Sequence, residues 1–318
     1  MLLQKKMIDK EISNLKTIDT LIRQEQPFAV YRIPGEDTPR LLTQASGSVR
    51  LLYDLKDLDG ARGFVIAPFR ASESCPIVLI QPEQWGQPLP LGEYAEEELE
   101  AFRLRQGRET FSEACTEEYE ACFRTFIEAL RSKQFDKLVL SRKSVIGQCP
   151  GFSPSAVFRA AYKHYIHSYI YLCYTPRTGV WMGSTPEIIL SGEKNEWSTV
   201  ALAGTQPLQD GRLPQEWGEK NRQEQDYVAS YIRRQLLSSG IHPTESGPYP
   251  AYAGALSHLK TSFRFTLKDN NRLGSLLELL HPTPAVCGLP KEEAYRFILD
   301  NEGYDRRYYS GFIGWLDP

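Results

Sequence analysis

No apolar run in the 318-residue chain reaches the ~18 residues that a membrane-spanning helix needs. The opening stretch, MLLQKKMIDKEISNL, lacks the apolar core of a secretory signal. Excess positive charge is missing too. Lys and Arg number 37 against 40 Asp and Glu, a net charge of −3. That leaves no basic footprint for nucleic acid and no polybasic membrane patch. The six cysteines, Cys75, Cys115, Cys122, Cys149, Cys173 and Cys287, form no C-x-x-C pair and no disulfide-framework spacing. Several lie in apolar runs, where cysteine behaves as a small hydrophobe. Together these absences predict a reduced, cytoplasmic protein.

Missing motifs narrow the chemistry further. No G-x-G-x-x-G follows a strand-like run and no G-x-x-x-x-G-K-[ST] occurs, which disfavours Rossmann and P-loop nucleotide sites. No G-x-S-x-G elbow supports a serine hydrolase. Five histidines are present, yet none sits in an H-E-x-x-H or comparable zinc-ligand pattern. His164 and His167 read as helix-end surface residues. His258, heading an alternating run, and His281, before Pro-Thr-Pro-Ala, are better placed for a site.

What remains describes a chain long enough to bury a core without staples. Short β-rich runs over Phe28–Ile33, Val49–Leu55, Gly63–Pro68 and Pro76–Gln81 are separated by turn signals such as Pro34-Gly35 and Asp59-Gly60. Residues 82–114 are rich in Pro, Gly and Glu and read as a connection. Apolar residues at helical spacing from Tyr119 to Leu130 predict a helix capped by Thr116. A strand is predicted over Lys137–Ile146, then a helix with Ser153 as N-cap and Pro154 at its first position. Strands follow at Tyr169–Tyr174 and Val180–Met182. Later elements are a helix over Gln215–Leu237, a half-buried strand over His258–Leu267, helices over Leu273–Leu280 and Pro290–Asp300, and a strand over Ser310–Trp315. Antiparallel strands mixed with unsegregated helices predict an α+β fold with a large sheet core. The expected division is 1–110, a variable sheet-and-helix portion, and 111–318, the main portion of the same fold.

One stretch, Gly183 to Gln206, combines a carboxylate with a small-residue corner. Ile188–Leu190 and Trp197–Leu202 read as strands around a polar turn near Lys194. This register sets Glu187 opposite Ala201, with Gly204 on the order of 10 Å further along. Glycine there lets a ligand approach backbone N–H groups. A plainer alternative stands beside it: Thr-Pro-Glu starts a strand and Ala-Gly-Thr ends one. Glu224 lies on the face of its helix shared by Val228, Tyr231 and Ile232, and a carboxylate there needs a cation, whether Lys, Arg or a metal. Lys137 heads a strand and shares a face with Val139, which alternation would bury. It is a candidate base if desolvated, or an edge lysine that guards against aggregation. Two glutamates, a lysine and a Gly-Thr corner suggest a Mg²⁺-assisted acid/base site for a small anion.

Seven segments in order carry a resemblance: Lys137-Leu-Val-Leu-Ser-Arg142, Gly183-Ser-Thr-Pro-Glu187, Leu202-Ala-Gly-Thr205, Lys220-Asn-Arg-Gln-Glu-Gln225, Ser257-His-Leu259, Leu280-His-Pro-Thr-Pro-Ala-Val-Cys-Gly288 and Ser310-Gly-Phe-Ile-Gly-Trp315. Over roughly residues 115–318 the chain resembles the chorismate-binding, anthranilate synthase component I-like enzymes, and within them the isochorismate synthase branch. The resemblance implies a large antiparallel β-sandwich flanked by helices. It implies that Lys137 activates water to attack C2 of chorismate and that Glu187 protonates the departing 4-hydroxyl. It makes Glu224 a Mg²⁺ ligand, and Gly204, Thr205, His258 and Ala285 substrate-contacting positions. Lys137 points to water rather than ammonia as nucleophile, so no glutaminase subunit is expected. The product would feed menaquinone or siderophore biosynthesis.

Salicylate synthase and anthranilate or aminodeoxychorismate synthase component I are the alternatives within the family. The form His281-Pro-Thr-Pro-Ala285 favours the isochorismate branch. Relatives continue past the counterpart of Trp315 with a strand bearing a substrate-binding arginine and a helix bearing a second metal carboxylate. The resemblance therefore implies a catalytic portion truncated at Pro318, and an inactive chorismate-binding fragment is the reading from a different class. Glu302 is a further acidic candidate.

Overall fold

The computed structural model describes residues 16–83, 86–89, 113–145, 147, 152–253 and 256–318. The helical spacing of Met7, Ile8, Ile12 and Leu15 predicts a surface helix within residues 1–26; those four positions, most of the connecting region, and Cys149 lie outside the described residues. The chain folds into two compact units. One comprises Met1–Leu51, Val78–Glu109 and Ile146–Pro186, and the other Leu52–Ile77, Thr110–Val145 and Glu187–Pro318.

In the first unit, β1 (Phe28–Arg32), β2 (Arg40–Thr43), β6 (Gln87–Pro88), β8 (Tyr169–Thr175) and β9 (Gly179–Thr185) form a sheet in the order β6-β2-β1-β8-β9. Strand β1 is buried along its whole length, as a central strand should be. Helices α1 (Lys16–Arg23) and α3 (Pro154–His164) supply Ile18, Leu21, Phe158 and Ala161 to a core shared with Phe28, Val30, Leu41, Ile170 and Leu172. Ser153 caps α3 by accepting from the Ala156 N–H, with Pro154 in the first turn, as the sequence predicts. Asp19 accepts from the hydroxyls of Ser153 and Ser155 and so pins α1 to that cap. The buried Arg32 guanidinium donates to the carbonyls of Tyr162, Tyr165 and Ser168 at the other end of α3, where the helix leaves acceptors unpaired. Strands β3 (Arg50–Leu52) and β5 (Ile77–Ile80) lie where the chain passes from one unit to the other.

The second unit holds every residue proposed above for chemistry. Its main sheet runs β10-β11-β13-β12, from β10 (Ser191–Glu193), β11 (Glu196–Pro207), β12 (Thr244–Ala253) and β13 (Leu256–Thr266). Strand β13 alternates as predicted: Ser257, Leu259, Thr261, Phe263 and Phe265 are buried, while the residues between them are partly or fully exposed. Strand β12, which contains Pro248 and Pro250, lies outside the strands expected from the sequence. It survives as an edge strand, where a missing N–H costs no ladder bond. Helix α4 (Glu219–Ser238) packs on β11 through Gln225, Val228, Ala229, Ile232 and Leu236.

A second layer of this unit pairs β4 (Gly63–Ala67) with β15 (Phe312–Leu316), and β7 (Lys137–Leu138) with β14 (Gly288–Leu289). Helices α2 (Glu113–Arg131), α5 (Leu273–Leu280) and α6 (Lys291–Asn301) complete it. Helix α2 begins three residues before the expected Thr116 cap. Phe69, Phe126, Cys287, Ala294 and Ile298 form the local core, with Phe135, Leu138 and Leu140 against it. The fold is α+β, its strands paired antiparallel throughout the described pairings. Among the described residues no helix is long and apolar enough to cross a membrane.

The helix expected from Gln215 begins at Glu219, the strand expected over Val49–Leu55 covers only Arg50–Leu52, and two further spans differ beside the site. Regular strand ends at Leu138 rather than Ile146, although the Val139 N–H still reaches the Cys287 carbonyl. Past that point the backbone is engaged by the side chains of Glu302 and Arg306. Ile188–Leu190 is not strand at all. The hairpin closes through Lys194 and Asn195, pairing only Ser191–Glu193 with Glu196–Ser198. Lys194 takes the left-handed backbone conformation, φ 58°, that a tight two-residue turn demands.

Candidate active site

Lys137 enters the site because its neighbours do not. Leu138 and Leu140 pack on the core around Phe69 and Cys287, so alternation turns Lys137 to the opposite side. The expectation that Val139 is the buried residue of this strand is corrected by that packing. Pairing of Lys137 with Leu289 holds the strand. Gly288 is required beside it, since a Cβ there would lie 2.4 Å from the Lys137 carbonyl oxygen.

The lysine Nζ donates to Glu224 Oε1 at 2.6 Å, with the Lys137 side chain 12% exposed and that of Glu224 36% exposed. Glu224 thus finds the cation that its place on α4 demanded, and the cation is Lys137. The residue that points fully into the sheet is the next one, Gln225. Its Oε1 accepts from the Ala203 N–H at 2.8 Å, and its Nε2 donates to the Ala201 carbonyl and the Thr261 hydroxyl. Gln225 anchors α4 to β11 directly beside Glu224. Sequence reasoning missed it, though a signal existed: Gln225 falls at i, i+3, i+4, i+7 with Val228, Ala229 and Ile232, a polar residue on an apolar stripe.

The anchor lies at a break in the β11 ladder. Ala203 pairs with Leu259 and Thr205 with His258, leaving Gly204 as an extra residue. Such a bulge re-aims the groups around it. Gly204 has φ +71°, and a Cβ on it would sit 2.7 Å from the Asn221 carbonyl oxygen of α4. Gly204→Ala is therefore expected to destabilise the protein by about 1–3 kcal/mol, read as a lowered urea midpoint.

The Gly204 carbonyl, freed from the ladder, lies 3.2 Å from His258 Nδ1, and the Thr205 hydroxyl lies 3.2 Å from the same nitrogen. A carbonyl can only accept, so Nδ1 carries the proton and Nε2 is the acceptor in the neutral ring. Burial pushes the His258 imidazole below its ordinary value, opposed by the bond to Gly204 and the charge of Glu224.

Glu187 is half-buried, and desolvation pushes its carboxyl up to about 7, against the opposing pull of the Lys137 charge. Lys137 is therefore an electrostatic neighbour of Glu187, Glu224 and His258, and His258 of Glu224. Ala285 joins them only through the backbone. It lies in the Thr283–Val286 turn, just before Cys287, which bonds to Val139. His281 belongs to the core instead. Its ring Nε2 donates to the Phe69 carbonyl, Phe69 and Phe312 meet it edge-on, and burial pushes it down to about 4. Glu302 is spoken for by Arg306 at 2.5 Å, both side chains 1% exposed.

No group of three or more His, Cys, Asp or Glu side chains able to hold a metal ion is found among the described residues. Mg²⁺, however, is commonly held by one or two carboxylates, with substrate oxygens and waters filling the octahedron. Glu224, partly exposed beside the site, meets that lower requirement. The donor set fits a cation shared with a ligand, not a protein-only cage.

The chain is 31% identical over 193 residues to isochorismate synthase EntC of Escherichia coli (strain K12), a match covering 58% of this chain and 49% of that protein. The chain thus spans about half the length of that curated relative. Isochorismate synthase DhbC of Bacillus subtilis (strain 168) is 23% identical over 349 residues, covering 98% of this chain and 85% of that protein. The solved structure of MenF, the menaquinone-specific isochorismate synthase from Escherichia coli, superposes with a TM-score of 0.64 at 18% identity, covering 92% of this chain and 76% of that chain. At that identity the likeness speaks for the fold. The chorismate binding enzyme family itself matches residues 87–318, well over half of the sequence, and the chain belongs to that family.

Proposed function

We propose that this protein is an isochorismate synthase, an isomerase that converts chorismate to isochorismate with water as nucleophile. One observation carries the reading: a carboxyl pushed up to about 7 lies within electrostatic reach of a lysine that is itself paired to a second carboxylate. Groups whose environments separate their protonation states divide acid and base work between them. Glu187, protonated by virtue of burial, donates its proton to the leaving 4-hydroxyl. Lys137 takes a proton from the water that attacks C2. The C2–O bond forms, the ring double bonds shift, the C4–O bond breaks, and the 4-hydroxyl leaves as water. The net composition of the substrate is unchanged.

The remaining residues hold the substrate. The Gly204-Thr205 corner gives a backbone approach and a hydroxyl, and His258 presents an Nε2 acceptor to a substrate hydroxyl. Ala285 leaves room beside the turn. Glu224 would hold Mg²⁺ together with the ring carboxylate; when bound, the ion offsets the substrate's negative charge. Because water is the nucleophile, no ammonia-supplying glutaminase is needed. The 31% identity to EntC supports the same assignment.

Product analysis tests it. Purified protein incubated with chorismate, Mg²⁺ and ammonium is expected to yield isochorismate as the main product on chromatography. Anthranilate would overturn the choice of water. Salicylate with pyruvate would move the protein to a lyase branch, and binding without turnover would make it a chorismate-binding protein.

A further inference from the structure

Glu302 and Arg306 form an ion pair that is removed from solvent, both side chains 1% exposed. Burying two charges costs several kcal/mol per ion before any attraction is counted, and apolar replacements are often as stable. The pair therefore calls for a role besides stability, and its partners supply one. Arg306 donates Nε and Nη2 to the two Glu302 oxygens, Nη2 also to the Val139 carbonyl, and Nη1 to the Val286 carbonyl, each of the last two at 2.8 Å. Its guanidinium carbon stacks 4.5 Å from the Phe69 ring centroid. Glu302 Oε1 accepts from both the N–H and the hydroxyl of Ser141, at 2.7 and 2.8 Å. Since Ser141 gives its proton to Glu302, the Tyr304 hydroxyl donates to Ser141.

Apart from the Ser141 hydroxyl, the groups bonded to the pair are backbone atoms of two segments distant in sequence. Val139 and Ser141 follow Lys137 on the same segment. Val286 follows Ala285 in the turn. The regular ladder between these segments is only two residues long, Lys137–Leu289 and Leu138–Gly288, flanked by the bonds from Asp136 N–H to the Leu289 carbonyl and from Val139 N–H to the Cys287 carbonyl, and a ribbon that short does not hold its geometry alone.

We propose that the Glu302–Arg306–Ser141 network is a positioning device that sets Lys137 and the Ala285 turn in register with each other. The proposal rests on the isochorismate synthase reading. These are positioning residues: they act through the backbone that carries Lys137 and never touch the substrate. A displacement of about 1 Å at a reacting group costs up to ~100-fold in rate, so a rigid rear support has kinetic consequences that its effect on stability does not reveal.

Glu302→Gln leaves Arg306 a buried, uncompensated charge and is expected to misfold, so the informative variants are milder. Ser141→Ala removes one bond to Glu302. Arg306→Lys keeps the charge but gives up the carbonyl bonds to Val139 and Val286. Each is measured for thermal midpoint, for kcat and KM with chorismate and Mg²⁺, and for hydrogen exchange without substrate. The expected result is a kcat per folded molecule about tenfold lower for Ser141→Ala and lower still for Arg306→Lys, with KM within about twofold of wild type. Amides of residues 137–141 and 283–289 should exchange faster while the β11–β13 ladder is unchanged. Wild-type kcat in both variants, or a loss that follows KM alone, overturns the proposal. So does exchange that rises equally across β11 and β13. If wild-type protein makes no isochorismate, the reaction assignment fails, and the exchange measurement decides the positioning role by itself.

Discussion

Glu187→Gln should nearly abolish isochorismate formation while making the protein more stable at alkaline pH. The loss follows from removing a general acid, typically worth 10²- to 10⁴-fold. The gain follows from the same burial that makes the acid useful. With the carboxyl pushed from its ordinary 4.5 up to about 7, the folded state holds a proton that the unfolded chain releases. Stability from this group is fully present below about 4.5 and is lost as pH rises through about 7, because unfolding then frees a carboxylate that the fold keeps poorly solvated. A shift of this size corresponds to roughly 2–3 kcal/mol, after allowing for the residue's partial exposure. Glutamine carries no charge to bury and removes the dependence. Urea unfolding at pH 5 and pH 8 tests this: wild type should lose stability between the two relative to Glu187→Gln. Wild-type kcat should fall as pH rises through about 7, when the acid loses its proton. Parallel stability profiles for the two proteins, or a variant with near-normal kcat, would contradict the assigned role.

Lys137→Ala carries the second large effect. Water addition should fall by ~10²- to 10⁴-fold with the fold retained. The strand holds its place through Leu138 and Leu140 in the core and through the β14 pairing, none of which needs the lysine side chain. The pair with Glu224 is partly exposed and of the kind worth about 0–1 kcal/mol. The thermal midpoint should therefore move by a few degrees at most. Lys137→Arg sharpens the test. It keeps a cation for Glu224 but cannot release a proton near neutral pH, so it should restore the ion pair and not the rate. An active arginine variant would reduce Lys137 to an electrostatic partner.

The sequence conveyed the local physics better than the long-range geometry. Alternation in β13, the Ser153-Pro154 cap of α3 and the apolar run of α5 each depend on residues close together in the chain. The need of Glu224 for a cation was also legible, since a carboxylate on a packed helix face has few alternatives. Its partner was not, because Lys137 lies 87 positions away. The hairpin was mispaired for a comparable reason. Ile188–Leu190 has strand-like composition, but composition does not say whether a neighbouring strand is available. Gly204 was singled out as a close-approach residue; that it forms a bulge against α4, with Gln225 bonded to the backbone on either side of Leu202, required the helix to be in place. The strand from Lys137 was overextended because the Arg306 that binds its Val139 carbonyl comes 167 residues later.

The origin of the new hydroxyl decides the central claim. Chorismate turned over by this protein in ¹⁸O-enriched water with Mg²⁺ should give isochorismate heavier by one ¹⁸O, carried on C2, with the carboxylate and enolpyruvyl oxygens unlabelled. Unlabelled isochorismate would mean that the 4-hydroxyl migrates without external water, and the acid/base division between Glu187 and Lys137 would then be wrong.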